Sequence, residues 1–535
     1  MSELKYRGPV VLVVMDGVGL RGEKVGNAVK NAHTEWLDQA VVNYPAIKLE
    51  ASGEAVGVLA GVMGNSEVGH NALGSGQIIK QGIARIEEVF ETGEIWETVA
   101  WRKAIENVKE QSNATLHFAG ICSDGGVHSD IKHLYKMIRR AKDEGIKKLR
   151  VHLVLDGRDV APQSALKYVD ELEEVLKGFG EEVDFRIATG GGRMVFVADR
   201  YENDWGMVKA GWEAMVWGKA DFEFESARQA IETFRRQDTK IYDQYLPPFV
   251  IKKEGQAVGL VKDGDSMIYY NFRADRAIEI AQAFTYEDFP YFDRGTENNR
   301  RLKVFFAGMT EYNSDTHVPE YRLVEPVKIK EPLNQWLGKQ GLAQLAVAEN
   351  VKFGHITYYF NGNSYEKAPL EEQIEIASDT KPFNERPWMK AAETTDVLLE
   401  NLERFKFVRV NYAGGDMVGH FGEMESTMVA VEAIDLQLKR LAKEIDRLGG
   451  MMIVTADHGN AEELIDDETG EPKTCHTTNL VPCIFYDNTE NKNKYRVKEI
   501  ADAGITNIAA TVAVLLGGKD YPKIWREPLI EIIDL

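Results

Sequence analysis

Short apolar runs that end in charged or glycine-rich residues recur along this chain, and helix-period segments separate them. That alternation restricts the fold to the α/β class with largely parallel sheets, because each parallel strand needs a crossover before the next. The residues just past each run bear on function, since ligands gather beyond the carboxyl ends of strands in open α/β sheets. The run 10–15 leads into Asp16, 406–412 into Ala413-Gly414-Gly415-Asp416, and 451–455 into Ala456-Asp457-His458. Acids far apart in sequence are thereby predicted at one sheet edge.

A second set of runs falls between these. The run 114–120 precedes Ser123-Asp124-Gly125-Gly126-Val127-His128, and 149–155 precedes Asp156-Gly157-Arg158-Asp159. The run 183–188 precedes Thr189-Gly190-Gly191-Gly192-Arg193, and 266–270 precedes Asn271-Phe272-Arg273-Ala274-Asp275-Arg276. These ends carry arginine more than metal-ligating side chains. The pattern predicts a middle domain, 83–317, inserted into an outer domain of 1–82 and 318–535, with crossings near 76–87 and in the polar stretch 311–326.

With 535 residues the chain can bury more than one core. Its net charge of -21 excludes nucleic acid and anionic membrane surfaces as expected partners, because phosphate binding needs a basic face that releases counterions. An anionic small-molecule substrate must then be held by local arginines. Cys122, Cys475 and Cys483 are too scattered for a disulfide framework, which points to a reducing compartment, the cytosol. The first residues lack a signal-peptide layout, and no apolar run approaches the roughly 18 residues of a membrane helix. A chain of this size with two domains is expected to stand alone as a monomer.

Asp416-Met417-Val418-Gly419-His420 separates a carboxylate and an imidazole by one helical turn, so both can face one ion from a helix start. Taken alone, the spacing fits an exposed acid with an incidental histidine better. Asp457-His458 after a strand, His476 in a polar segment and Asp16 after the first run reverse that balance. Oxygen and imidazole ligands without thiolate suit manganese, zinc or magnesium. Cys475, beside His476, reads as inert packing.

Gly61-Val62-Met63-Gly64-Asn65-Ser66-Glu67-Val68-Gly69-His70 sets a serine among glycines at a predicted helix start, where backbone can approach a phosphoryl oxygen. An N-cap serine would look the same locally. Beside a dication, however, the Ser66 hydroxyl can lose its proton at neutral pH and act as a nucleophile. His70 reads as a structural hydrogen-bond donor more than a ligand.

The motifs Val14-Met15-Asp16-Gly17-Val18-Gly19, Gly64 to His70, Ser123 to Ser129, Asp156-Gly157-Arg158-Asp159, Asn271 to Arg276, Asp416 to His420, Thr455-Ala456-Asp457-His458-Gly459-Asn460 and His476-Thr477-Thr478-Asn479 occur in this order. With them the sequence resembles the cofactor-independent phosphoglycerate mutases, relatives of alkaline phosphatases, along almost its whole length. The resemblance implies an alkaline-phosphatase-like domain with a second α/β domain inserted into it. It implies two divalent metal ions, manganese first with magnesium or cobalt as alternatives, and no organic cofactor. Asp416, His420 and His476 would hold one ion, and Asp16, Ser66, Asp457 and His458 the other. It also implies a substrate set of His128, Arg158, Asp159, Arg193, Arg200, Arg273 and Arg276, with Lys352 reaching the phosphoryl group. The segment from Arg193 to Arg200 resembles the trypanosomatid-type spacing, one residue longer than the bacterial pattern.

The implied reaction interconverts 3-phosphoglycerate and 2-phosphoglycerate in glycolysis and gluconeogenesis through a phosphoserine at Ser66, with Asp159 as acid and base. Phosphoryl transfer asks mainly for positioning and charge stabilisation, which dications and guanidinium groups supply. A related phosphomonoesterase or phosphopentomutase would share the metal ligands, but the arginine-rich middle segment argues against both.

Overall fold

The computed structural model describes residues 4–111, 113–199, 203–313, 316–325, 327, 329–466 and 470–533. The chain divides into two compact units, Met1–Ala84 with Val327–Leu535, and Arg85–Pro326. Each is an α/β unit with its own large sheet, the class the alternation predicts.

In the first unit a seven-stranded sheet runs in the order Glu371–Ile376, Gln344–Glu349, Phe407–Tyr412, Val10–Met15, Met451–Thr455, Val481–Tyr486 and Ala46–Leu49. The first five are parallel, and the last two join antiparallel. The central strands 407–412, 10–15 and 451–455 are buried at every position, which is why they read as near-continuous apolar runs. The 25-residue helix Met424–Leu448 supplies Ile434, Leu438, Leu441 and Ile445 to the same core, at the spacing of one helix face. Met15 lies opposite Tyr412 and Val14 opposite Thr455, so Asp16, the 413–416 turn and Asp457 leave the sheet at a common edge.

The second unit is built on a nine-stranded sheet. Its order is Tyr321–Arg322, Phe305–Gly308, Ser266–Tyr269, Leu116–Ile121, Lys148–Leu155, Asp184–Gly192, Phe249–Lys253 and Phe222–Phe224, with Gln256–Ala257 paired to Phe249–Lys253. Side chains alternate between two cores: Phe118 and Leu153 pack in one, Ala119, Ile121 and Val154 in the other. Residues 318–325 belong with this unit rather than with the outer one, because Tyr321–Arg322 pair with Phe305–Gly308 at the sheet edge. The stretch 189–192 continues the strand beyond residue 188, where the apolar run ends. It pairs with 152–155 after a bulge at Val151/His152, and glycines give a sequence no side chain to mark a strand.

Candidate active site

Ser66 opens the helix Ser66–Ser75, and the N-cap is Asn65, whose side chain accepts from Val68 N at 2.9 Å. Capping therefore falls to Asn65 and leaves the Ser66 hydroxyl for other partners. The helix lies directly on the Asp457 turn, since a Cβ on Gly69 would stand 2.6 Å from Asp457 O. Ser66 Oγ is 3.2 Å from Asp16 Oδ1, 2.9 Å from His458 Nε2 and 2.5 Å from Lys352 Nζ. Lys352, in the short helix Asn350–Gly354, also donates to Asp16 Oδ1 at 2.9 Å and Asp416 Oδ2 at 2.6 Å.

Asp416 sits in the helix Gly414–Gly419 with His420 at its C-cap, one turn apart as the spacing predicts. Asp416 Oδ1 is 3.2 Å from His420 Nε2 and 3.1 Å from His476 Nε2, and those nitrogens are 3.2 Å from each other. Their other ring nitrogens are committed: His420 Nδ1 donates to Thr474 O at 2.7 Å and His476 Nδ1 to Gly64 O at 3.0 Å. A carbonyl only accepts, so in the neutral ring each Nε2 carries a lone pair. Lone pairs and a carboxylate oxygen facing one point repel one another unless a cation lies among them, and this donor set suits a divalent ion. His458 repeats the arrangement. Its Nδ1 is 3.2 Å from Gly459 O, which turns Nε2 toward Ser66 Oγ, Asp16 Oδ1 at 3.5 Å and Asp457 Oδ2 at 3.5 Å. The ligand atoms of Asp416, His420 and His476, and those of Asp16, Asp416 and His458, each fall within 4.8 Å of one another. The residues present therefore fit dications. Cys475 is exposed and joins none of the ligand groups found among the described residues.

Charge in this cluster is uneven. Burial and then the Asp457 carboxylate push Asp16 above the usual carboxylate range, against the pull of Lys352. Asp416 goes the other way: burial would raise it, but Lys352 and the imidazoles of His420 and His476 hold it well below. The hydrogen bond to Asp416 raises His420 above the usual imidazole value.

His70 is fully buried, and both its nitrogens are engaged. Nδ1 donates to Ser66 O at 2.8 Å, with Asp457 Oδ2 at 3.2 Å, and Nε2 takes Asn411 Nδ2 at 3.1 Å. That geometry braces the Ser66 turn, and His70 also falls within 4.8 Å of the ligand atoms of Asp16 and Asp457. Asn411, which also donates to Asp16 Oδ2 at 2.6 Å, was not singled out by the sequence. Its signal was an amide inside a fully buried strand.

The second unit gathers a different set. Asp156 Oδ1 accepts from Arg193 Nη1 at 2.6 Å and from the backbone of Asp159 at 3.1 Å, while Oδ2 accepts from Ser123 Oγ at 2.6 Å. Arg193 Nη1 also reaches Asp159 Oδ2 at 2.5 Å, and His128 Nε2 stands 3.8 Å from that same oxygen. His128 Nδ1 is 3.2 Å from Asp275 Oδ1, a partner the sequence offered only as part of a motif. Arg276 is buried and directs Nη1 to Ala198 O at 2.6 Å, so it braces a loop rather than facing outward. Arg158 and Arg273 are exposed. Arg200 lies outside the described residues.

The family model described as BPG-independent PGAM N-terminus (iPGM_N) matches residues 86–314. The chain is 43% identical over 541 residues to a "Probable 2,3-bisphosphoglycerate-independent phosphoglycerate mutase" of Leptospira interrogans, covering 98% of this chain and 97% of that protein. It is 40% identical over 547 residues to the 2,3-bisphosphoglycerate-independent phosphoglycerate mutase of Trypanosoma brucei brucei, covering 98% of each. Among solved structures it is similar to Leishmania mexicana phosphoglycerate mutase at low cobalt concentration, with TM-score 0.69 and 38% identity over 99% of this chain and 100% of that one.

Proposed function

The chain belongs to the 2,3-bisphosphoglycerate-independent phosphoglycerate mutases, and from that membership we propose how its own residues interconvert 3-phosphoglycerate and 2-phosphoglycerate. Ser66 Oγ attacks phosphorus, the bond from phosphorus to the glycerate oxygen breaks, and phosphoserine plus glycerate result. The neighbouring hydroxyl of the retained glycerate then attacks the phosphoserine and releases Ser66. Lys352 Nζ, 2.5 Å from Ser66 Oγ, steadies negative charge on that oxygen as it enters and as it leaves. Asp416, His420 and His476 would hold one dication, and Asp16, Ser66, Asp457 and His458 another. Manganese is the first assignment, with magnesium or cobalt as alternatives, and the bound ions would supply charge neutralisation at the phosphoryl oxygens and a lowered pKa at Ser66.

Asp159 gives a proton to the departing glycerate oxygen and takes one from the attacking hydroxyl, with Arg193 and His128 keeping the carboxylate in place. Arg158, Arg273 and Arg200 would grip carboxylate and phosphate as guanidinium forks, and Arg276 would fix the loop around Ala198. We place the enzyme in the cytosol, which three free cysteines support, and take it to work as a monomer, which two units each with its own core support. Among the described residues no helix is long and apolar enough to cross a membrane.

The observation that carries this reading is the convergence of Asp16, His458 and Lys352 on one serine hydroxyl, beside imidazole lone pairs that face a carboxylate. Purified protein given 3-phosphoglycerate should yield 2-phosphoglycerate. Release of free phosphate instead would make it a phosphatase, and elemental analysis with chelation and add-back identifies the ion.

A further inference from the structure

The loops that carry the proposed metal ligands close on a buried carboxylate that has no part in the phosphoryl transfer itself. Glu462 is fully buried. Its Oε2 accepts from Gly19 N at 2.9 Å and Asn460 N at 2.9 Å, and its Oε1 accepts from Asn479 Nδ2 at 3.0 Å and from the hydroxyl of Thr477. Those donors come from the loops after Asp16, after His458 and after His476. Each oxygen thus has two donors, which offsets the cost of placing a carboxylate away from water.

The glycines of these motifs gain a reason here. A Cβ on Gly19 would stand 2.5 Å from Glu462 Cδ, and one on Gly459 would stand 2.3 Å from Glu462 Oε1, so a side chain at either position would push its loop off the carboxylate. Backbone bonds also link the loops in pairs, Ala461 N to Gly17 O at 2.9 Å and Thr477 N to Gly459 O at 3.0 Å. Glu462 touches all three. Asn460, held through its backbone by Glu462, passes the constraint on, because its Nδ2 donates to Asp416 Oδ1 at 3.1 Å.

We propose that Glu462 is a positioning residue for both groups of metal ligands, setting the Asp16, Asp457-His458 and His476 loops at the separation that dications require. The inference rests on the proposed binding of two dications. Removing such an outer partner typically costs about 10–100-fold in metal affinity, because ligands that must be dragged into place bind less tightly. Full-length chain stripped with chelator and titrated with manganese chloride in a calorimeter gives the test. Wild-type protein is expected to bind, and E462Q to bind about 10–100-fold more weakly with its metal-free melting temperature recorded alongside. An E462Q protein that melts earlier without metal yet keeps wild-type manganese affinity would make Glu462 a folding residue only and overturn the inference. If E462Q does not fold, T477V removes one donor and leaves the charge. A smaller loss of affinity there supports the inference, and none overturns it. Wild-type protein that takes up no manganese, magnesium or cobalt removes the metal reading itself.

Discussion

The two units use the same edge of the same kind of sheet in opposite ways. At the strand ends of the first unit, imidazole lone pairs and carboxylates face one another, with Lys352 the cation among them. At the strand ends of the second, a guanidinium already lies between acids: Arg193 bridges Asp156 and Asp159, and His128 stands beside Asp159 and Asp275. The first arrangement is frustrated until dications enter it. The second is already bridged by Arg193, which holds Asp156 and Asp159 together. Like-facing donors advertise a missing cation, whereas paired charges advertise positioning.

The sharpest test of that contrast is Ser66→Ala, which removes the atom that receives phosphorus, also a proposed ligand of the second ion, and leaves Asp416, His420 and His476 in place. Mutase turnover should fall by at least about 10⁴-fold, the scale of losing a covalent nucleophile, while manganese still binds at Asp416, His420 and His476. Turnover within tenfold of wild type would end the phosphoserine route. Next in size is His476→Ala. Its Nε2 lone pair is committed to the point it shares with His420, so both manganese affinity and kcat should drop by more than about 100-fold, beyond the usual cost of an outer partner. Excess manganese should restore part of the activity, and no response to added metal would count against a ligand role.

Arg193→Ala probes the second unit. It removes a charge-assisted hydrogen bond of about 1.5–3 kcal/mol from Asp159 and leaves Asp156 buried with fewer donors. The expected result is a roughly 10–100-fold fall in kcat/KM with manganese affinity untouched. A parallel loss of metal would mean the two sets are not separable as drawn.

The first unit was the more legible of the two because its chemistry sits where apolar runs stop. Asp16, Asp416 and Asp457 each follow a fully buried strand, and the register of 10–15 against 407–412 and 451–455 brings them together. Asn411 and Glu462 were not found, since each acts by hydrogen-bonding a ligand or its loop and leaves no spacing to read. In the second unit the arginines were visible but their duties were not. Arg276 and Arg273 look alike in Asn271 to Arg276, yet one is buried against backbone carbonyls and the other exposed, a difference fixed by packing from distant residues. The 189–192 strand was hidden because register, not side-chain pattern, makes it a strand.

The smallest expected effect compares two histidines, one in each unit, whose titrations run in opposite senses. His133, in the helix Ile131–Asp143 of the second unit, lies buried with its ring stacked on Phe90 at 4.7 Å. Burial lowers its pKa from 6.5 to about 4, with Lys136 and Lys132 adding to the shift and Asp130 opposing it. As pH falls the unfolded chain takes the proton first, so stability is full above about 6.5 and is lost progressively toward 4, by at most about 3 kcal/mol. His420 in metal-free protein runs the other way: its raised pKa contributes stability below about 6.5 that disappears as pH rises through the raised value. His133→Phe keeps a ring against Phe90 and removes the titration. Melting curves of chelated full-length protein between pH 4 and 7 should therefore show a shallower acid limb for His133→Phe than for wild type. Identical limbs would assign that loss of stability to other groups.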